Sequence, residues 1–168
     1  CDGLIFLPYV QGERAPVWDA EAKGIFFGVH SGHTQLHFMR AIVEGICYSL
    51  YQVAELIECC IGEIKRIYAS GGFIRSRQWL QILADVFNKK IDVTNASDAS
   101  AVGAAILGLK ALGVMNELED AKSFFTVSDS IMPSERNHLV YKRYMAVYNR
   151  LYDQSKESFH MLHELQHQ

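Results

Sequence analysis

The sequence predicts an α/β fold in which strands and helices alternate and a strand pair runs parallel. Short apolar runs bounded by Gly and Pro read as strands, and apolar residues recurring every three or four positions read as helices. In the middle of the chain the two kinds follow one another as strand, helix, strand, helix. That order requires crossover connections, and crossovers join parallel strands.

Leu4 to Leu7 and Gly24 to Val29 are apolar, aromatic-rich runs that read as two strands. Between them lies "PYVQGERAPVWDAEAK", where Pro8, Gly12 and Pro16 interrupt any regular element. From Thr34 the period changes: Met39, Val43, Ile46, Leu50, Val53 and Ile57 recur at spacings of four and three, one face of a long helix ending near Gly62. A strand from Ile64 to Ala69 follows, then a turn at Ser70, Gly71 and Gly72, then a helix from about Arg75 to Phe87 that buries Trp79, Leu83 and Val86.

A strand at Ile91 to Val93 leads through "TNASDAS" into an Ala/Gly-rich helix from about Ala99 to Leu112, with Ser97 and Asp98 as N-cap candidates. The small residues Ala101, Gly103, Ala104, Ala105 and Gly108 would let that helix lie close against a neighbour. Asn116 to Pro133 reads as a less regular connection. From about Ser134 a final long helix carries Leu139, Tyr144, Val147, Tyr148 and Leu151 on its apolar side, and its end, "FHMLHELQHQ", is expected to fray.

With 168 residues, 49% of them hydrophobic, the chain is long enough for one substantial core. A net charge of −3 with both signs scattered gives no support to a nucleic-acid or membrane-surface partner. Apolar runs are broken well before the roughly 18 residues a membrane-spanning helix needs. Cys1, Cys47, Cys59 and Cys60 are too few and too irregularly placed for a disulfide framework, so a reducing cytoplasm is the simplest setting. The opening "LIFLPYV" reads as the interior of a longer protein.

The best site candidate is the strand–glycine–helix unit from Ser70 to Ser76. Two glycines remove the Cβ atoms that would block close approach, and the helix start offers free N–H groups to a phosphate. The unit has neither dinucleotide GxGxxG spacing nor a P-loop Gly-Lys-Ser/Thr, so spacing alone fits an architectural turn better. Glu13, Arg14 and Asp19 form a second candidate cluster, weighed against a plain structural loop in which Trp18 packs and Arg14 pairs with a carboxylate. His30, His33 and His37 read as surface or capping histidines rather than a metal site, and His160, His163 and His167 as one face of a solvated helix. Glu44 is either a general base or a helix-surface or interface charge. No Asp stands beside the glycine turn to serve phosphoryl transfer.

The segment "GIFFGVHSGHTQLHFMRAIVE", from Gly24 to Glu44, resembles the second signature of the FGGY carbohydrate kinases, a pattern with many fixed positions. "LPYVQGERAPVWDAEAKG" resembles the loop before it, and "SDASAVGAAILGLKALG" is similar to the family's closing Ala/Gly-rich helix. Together these cover about Leu4 to Gly113. Within the family, "GERAPVW", "SGGFIRS" and "ILGLKALG" look most like the gluconokinase branch; xylulokinases and glycerol kinases are similar but usually carry Ala where this chain has Phe73.

The resemblance implies an actin-like, ribonuclease-H-like fold with a mixed sheet flanked by helices, residues 1–155 forming the family's C-terminal, nucleotide-side domain and 156–168 a tail. It implies that Gly71, Gly72 and Phe73 border the adenosine and phosphates of ATP, with Ser76 at a polar adenine-side position. The catalytic Asp, most sugar contacts and most of the Mg²⁺ site would lie in an N-terminal domain of the same polypeptide, leaving no catalytic base here. A second copy of the chain is a further expected partner. The competing expectations are another polyol as substrate, xylulose or glycerol, and an actin-like binding module with no nucleotide function.

Overall fold

The computed structural model describes residues 1–94, 99–118, 120–121 and 125–167. Strands β1 (Ile5–Leu7) and β2 (Ile25–Phe27) form an antiparallel pair with Ile5 opposite Phe27 and Leu7 opposite Ile25. A long helix α1 (Gln35–Ile61) leads to β3 (Ile67–Ala69), a 3₁₀ turn over Gly72–Arg75, and α2 (Arg77–Phe87). Strand β4 (Ile91–Thr94), helix α3 (Ala99–Ala111), strand β5 (Val127–Ile131) and helix α4 (Glu135–Gln166) complete the order. The second sheet runs β3-β4-β5, with β3 parallel to β4 and β5 antiparallel to it. The fold is therefore α/β with the parallel β3–β4 pair that the alternating pattern predicts, set in the mixed sheet that the resemblance implies.

Helix α2 organises the main core. Its N-cap Ser76 accepts the Trp79 N–H on the side-chain oxygen, and Asn88 ends it in the left-handed conformation at φ 51°, with its N–H on the Ala84 carbonyl. Leu80, Leu83, Val86 and Phe87 are buried, and α2 packs against both α1 and α4. Each such side chain contributes about 1.5–3 kcal/mol of apolar burial. Trp79 is half-buried against the same core.

Helix α1 buries a different face from the one its strongest apolar period predicts. Ala41, Glu44, Gly45, Cys47, Tyr48 and Ala54 are covered, whereas Met39, Leu50 and Ile57 are exposed. The reason is close approach to β1: a Cβ on Gly45 would overlap the carbonyl oxygen of Phe6. Only the small-residue side of the helix admits a strand backbone at that separation.

The connection expected from Asn116 to Pro133 contains β5, an exposed strand that buries only Ile131. On α3 only Ile106 is buried, and a Cβ at Gly103 or Gly108 would meet nothing within 4 Å, so those glycines contact no close neighbour among the described residues. Ser97 and Asp98 lie outside the described residues. Helix α4 is capped by Ser134 and continues unbroken through residue 155 to Gln166, with Phe159 buried. No helix among the described residues is long and apolar enough to cross a membrane.

Candidate functional site

The glycine turn sits at the carboxyl end of β3. Gly71 has φ 95° and ψ −172°, a backbone conformation that L side chains rarely adopt, so its glycine is required by geometry. Gly72 opens the 3₁₀ turn, and a Cβ on either glycine would meet nothing within 4 Å. The turn thus presents bare backbone to open space. The Ile74 N–H donates to the Gly71 carbonyl at 3.3 Å and the Ser76 N–H to the Phe73 carbonyl at 3.0 Å, which ties the turn to the first residues of α2.

Phe73 and Ser76 have local partners. The Phe73 ring lies 5.8 Å from that of Trp79, tilted by 51°, and packs on the main core. Ser76 is exposed and accepts the Trp79 N–H at 3.3 Å, leaving its hydroxyl proton free to donate outward.

Beside the turn lies a cavity of about 710 Å³ lined by Arg66, Tyr68, Ser70, Thr94, Ala99, Phe125, Thr126 and Val127. Ser70 follows β3, Thr94 ends β4 and Ala99 starts α3, so the cavity opens where two parallel strands finish. Open α/β sheets bind ligands in that position, outside the carboxyl ends of their parallel strands. The volume falls within the roughly 300–1,000 Å³ typical of small-molecule sites. Among the described residues its walls carry one cation, three hydroxyl groups besides that of Tyr68, and apolar surface, and no carboxylate. Arg66, Tyr68, Phe125 and Val127 carry no sequence motif; only their position in or beside strands β3 and β5 of the folded chain reveals them.

The other candidates separate from this site. Glu44 is buried at 6% exposure, which corrects its reading as a surface charge. Arg40 Nε donates to it at 2.7 Å, the Tyr141 hydroxyl at 3.3 Å and the Cys1 thiol at 2.7 Å, a partly buried network joining α1 to α4. Burial, reinforced by the Glu44 charge, pushes the Tyr141 hydroxyl up to about 12. His37 is part of the α1 cap, its Nδ1 accepting the Thr34 N–H at 3.0 Å, while the His30 and His33 rings lie 3.8 Å apart.

In the loop before β2, Trp18 is 76% exposed rather than packed, and no ion pair of Arg14 is found among the described residues. Asp19 is buried, with the Tyr152 hydroxyl donating to it at 2.8 Å and His160 Nε2 at 3.3 Å, so the terminal histidine face is engaged and not simply solvated. Burial raises the Asp19 carboxyl, but the hydrogen bonds from Tyr152, the Glu21 N–H and His160 outweigh it and hold the group below its ordinary range.

The comparisons with known proteins agree with one another. Residues 1–112 match the FGGY family of carbohydrate kinases, C-terminal domain. The chain is 38% identical over 157 residues to a xylulose kinase of Staphylococcus epidermidis, covering 93% of this chain and 32% of that protein. It is 43% identical over 137 residues to a gluconokinase of Bacillus subtilis, covering 81% of this chain and 26% of that protein. The crystal structure of a ligand-bound xylulose kinase from Lactobacillus acidophilus superposes with a TM-score of 0.87 at 30% identity, over 96% of this chain and 33% of that one. The chain therefore spans between a quarter and a third of the length of these relatives. With the family match and the superposition in agreement, the chain belongs to the FGGY family of carbohydrate kinases and corresponds to its C-terminal domain, of actin-like, ribonuclease-H-like fold.

Proposed function

We propose that the chain is the nucleotide-side domain of an ATP-dependent sugar kinase that converts gluconate and ATP to 6-phosphogluconate and ADP. The observation that carries the reading is that the bare Gly71–Gly72 backbone follows directly on Ser70, which lines a cavity at the carboxyl ends of two parallel strands; Gly71, Gly72, Phe73 and Ser76 themselves stand beside that cavity and not in its wall. In this reading Gly71, Gly72 and Phe73 border the adenosine and phosphates, and Ser76 offers its free hydroxyl proton to the adenine side. The cavity next to Ser70 has room for the nucleoside.

The chemistry divides between this chain and its partner. The sugar hydroxyl oxygen attacks the γ-phosphorus, its proton passes to a base, and ADP leaves. Among the described residues neither the turn nor the cavity wall holds a carboxylate, and in this reading the base and the ligands of Mg²⁺ would come from the N-terminal domain of the same polypeptide. The ion, bound there, supplies neutralisation of phosphate charge. This chain contributes backbone donors and one wall of a cleft that closes and excludes water. Four free cysteines fit a cytoplasmic setting, and a homodimer is compatible with the exposed apolar residues of α1 and α4.

Gluconate is favoured by the combination "GERAPVW", "SGGFIRS" and "ILGLKALG". Xylulose is the second reading, favoured by a xylulose kinase matching a larger share of the chain. Phosphorylation rates of gluconate and xylulose by the full polypeptide decide between them: a faster rate with gluconate supports the assignment, and a preference for xylulose overturns it. Turnover of neither sugar or any other polyol would favour a binding module.

A further inference from the structure

Residues 13–19 form a loop whose legs are held together twice. The Glu13 N–H donates to the Asp19 carbonyl at 2.8 Å and the Asp19 N–H to the Glu13 carbonyl at 3.0 Å; within the tip the Trp18 N–H donates to the Arg14 carbonyl at 2.7 Å. Just below, a Cβ on Gly12 would lie 2.7 Å from the Ala20 carbonyl oxygen, so the neck is closed. The tip turns its chemistry outward. Trp18 stands exposed in the left-handed region at φ 54°, Arg14 is exposed, and with Gln11 and Glu13 they line a hollow of about 620 Å³.

An L-residue persists at such a φ only when its surroundings over-determine it. What over-determines Trp18 is the next residue. Asp19 is buried and takes donors from two directions: the Glu21 N–H at 2.9 Å from its own loop, and the Tyr152 hydroxyl at 2.8 Å and His160 Nε2 at 3.3 Å from α4. Glu21 adds contacts to the same helix, 3.7 Å from His160 and 3.7 Å from His163. The helix end is itself anchored, since Phe159 is buried in the main core.

We propose that the last turns of α4 act as a strap over this loop, with Asp19 as its clasp, and that the strap fixes the presentation of Arg14 and Trp18. The segment from Tyr152 onward is then a conformational device and not a passive tail. Loosening it leaves the sheet and α2 intact but frees the tip.

Amide hydrogen exchange in the full polypeptide tests this. In the double variant Tyr152→Phe, His160→Leu, the Glu13, Trp18 and Asp19 amides should exchange about 10-fold faster or more, with α2 amides unchanged, because only local opening is made easier. His160→Gln, which keeps a side-chain donor, should retain the parent rates. Loop exchange that stays within about twofold of the parent in the double variant overturns the proposal, as does an equal acceleration in α2. If the double variant loses its helical signal, Tyr152→Phe alone is read by the same criteria.

Discussion

Asp85, near the end of α2, accepts the backbone N–H of Ser134 at 2.8 Å, and so holds the first turn of α4 against α2. The same carboxylate accepts Asn137 Nδ2 and Gln81 Nε2, each at 2.8 Å, and is 2% exposed. A buried carboxylate with three donors is satisfied only while both helices stay in register. Asp85→Asn replaces one acceptor oxygen by a donor facing N–H groups. It should cost about 2–3 kcal/mol in chemical denaturation; a loss below about 0.5 kcal/mol would mean that the helices are joined by apolar packing alone.

The glycines of the helices divide into those that touch something and those that do not. Gly45→Ala forces a methyl group onto the Phe6 carbonyl and should destabilise by about 1–3 kcal/mol through displacement of β1. Gly103→Ala meets open space in mid-helix and should stabilise by about 0.5–1 kcal/mol. Thermal or denaturant unfolding of the two variants gives opposite signs if β1 rides on α1 as described.

Gly71 and Gly72 are adjacent yet differ in what they require. Gly71→Ala must hold a side chain at φ 95° and should lose about 1–2 kcal/mol of stability. Gly72→Ala should stay within about 0.5 kcal/mol of the parent. Equal losses at both positions would contradict the turn geometry.

Asp19 and Tyr152 set opposite pH limits on one hydrogen bond. The folded Asp19 titrates below its ordinary 3.8, so its contribution is present above that value and fades as pH falls through the lower folded one. The Tyr152 hydroxyl, raised to about 12 by burial and by Asp19, contributes fully below its ordinary 10.0 and fades as pH climbs toward 12. Stability measured against pH should therefore lose part of its acid limb in Asp19→Asn and part of its alkaline limb in Tyr152→Phe. Superimposable profiles for parent and variants would contradict the pairing.

The alternation of strand and helix around Gly71 was legible because local signals agreed there: an apolar run, a glycine pair, a Ser cap and an amphipathic helix. The buried face of α1 was not, because that helix is apolar on two sides and close approach of β1 selects the one with Ala41, Gly45 and Ala54. Strand β5 carries no strand signal in the sequence because "VSDSI" buries only its last residue and has no apolar alternation. The cavity wall was equally hidden: Tyr68 on β3 and Val127 on β5 are far apart in the chain and come to one wall only through the pairing of both strands with β4. Trp18 looked like a packing residue by type, yet its φ of 54° turns it outward.

The most direct measurement of the central claim is ADP affinity of the full polypeptide carrying Gly72→Leu, taken beside its melting temperature. The Cβ of a leucine there meets nothing within 4 Å, so the side chain starts out into the open space beside the turn where a ligand would lie. The nucleotide reading predicts ADP binding weakened about 10-fold or more, on the order of 1.4 kcal/mol, with the melting temperature unchanged. An ADP dissociation constant within about twofold of the parent's would show that the glycine turn is architecture alone.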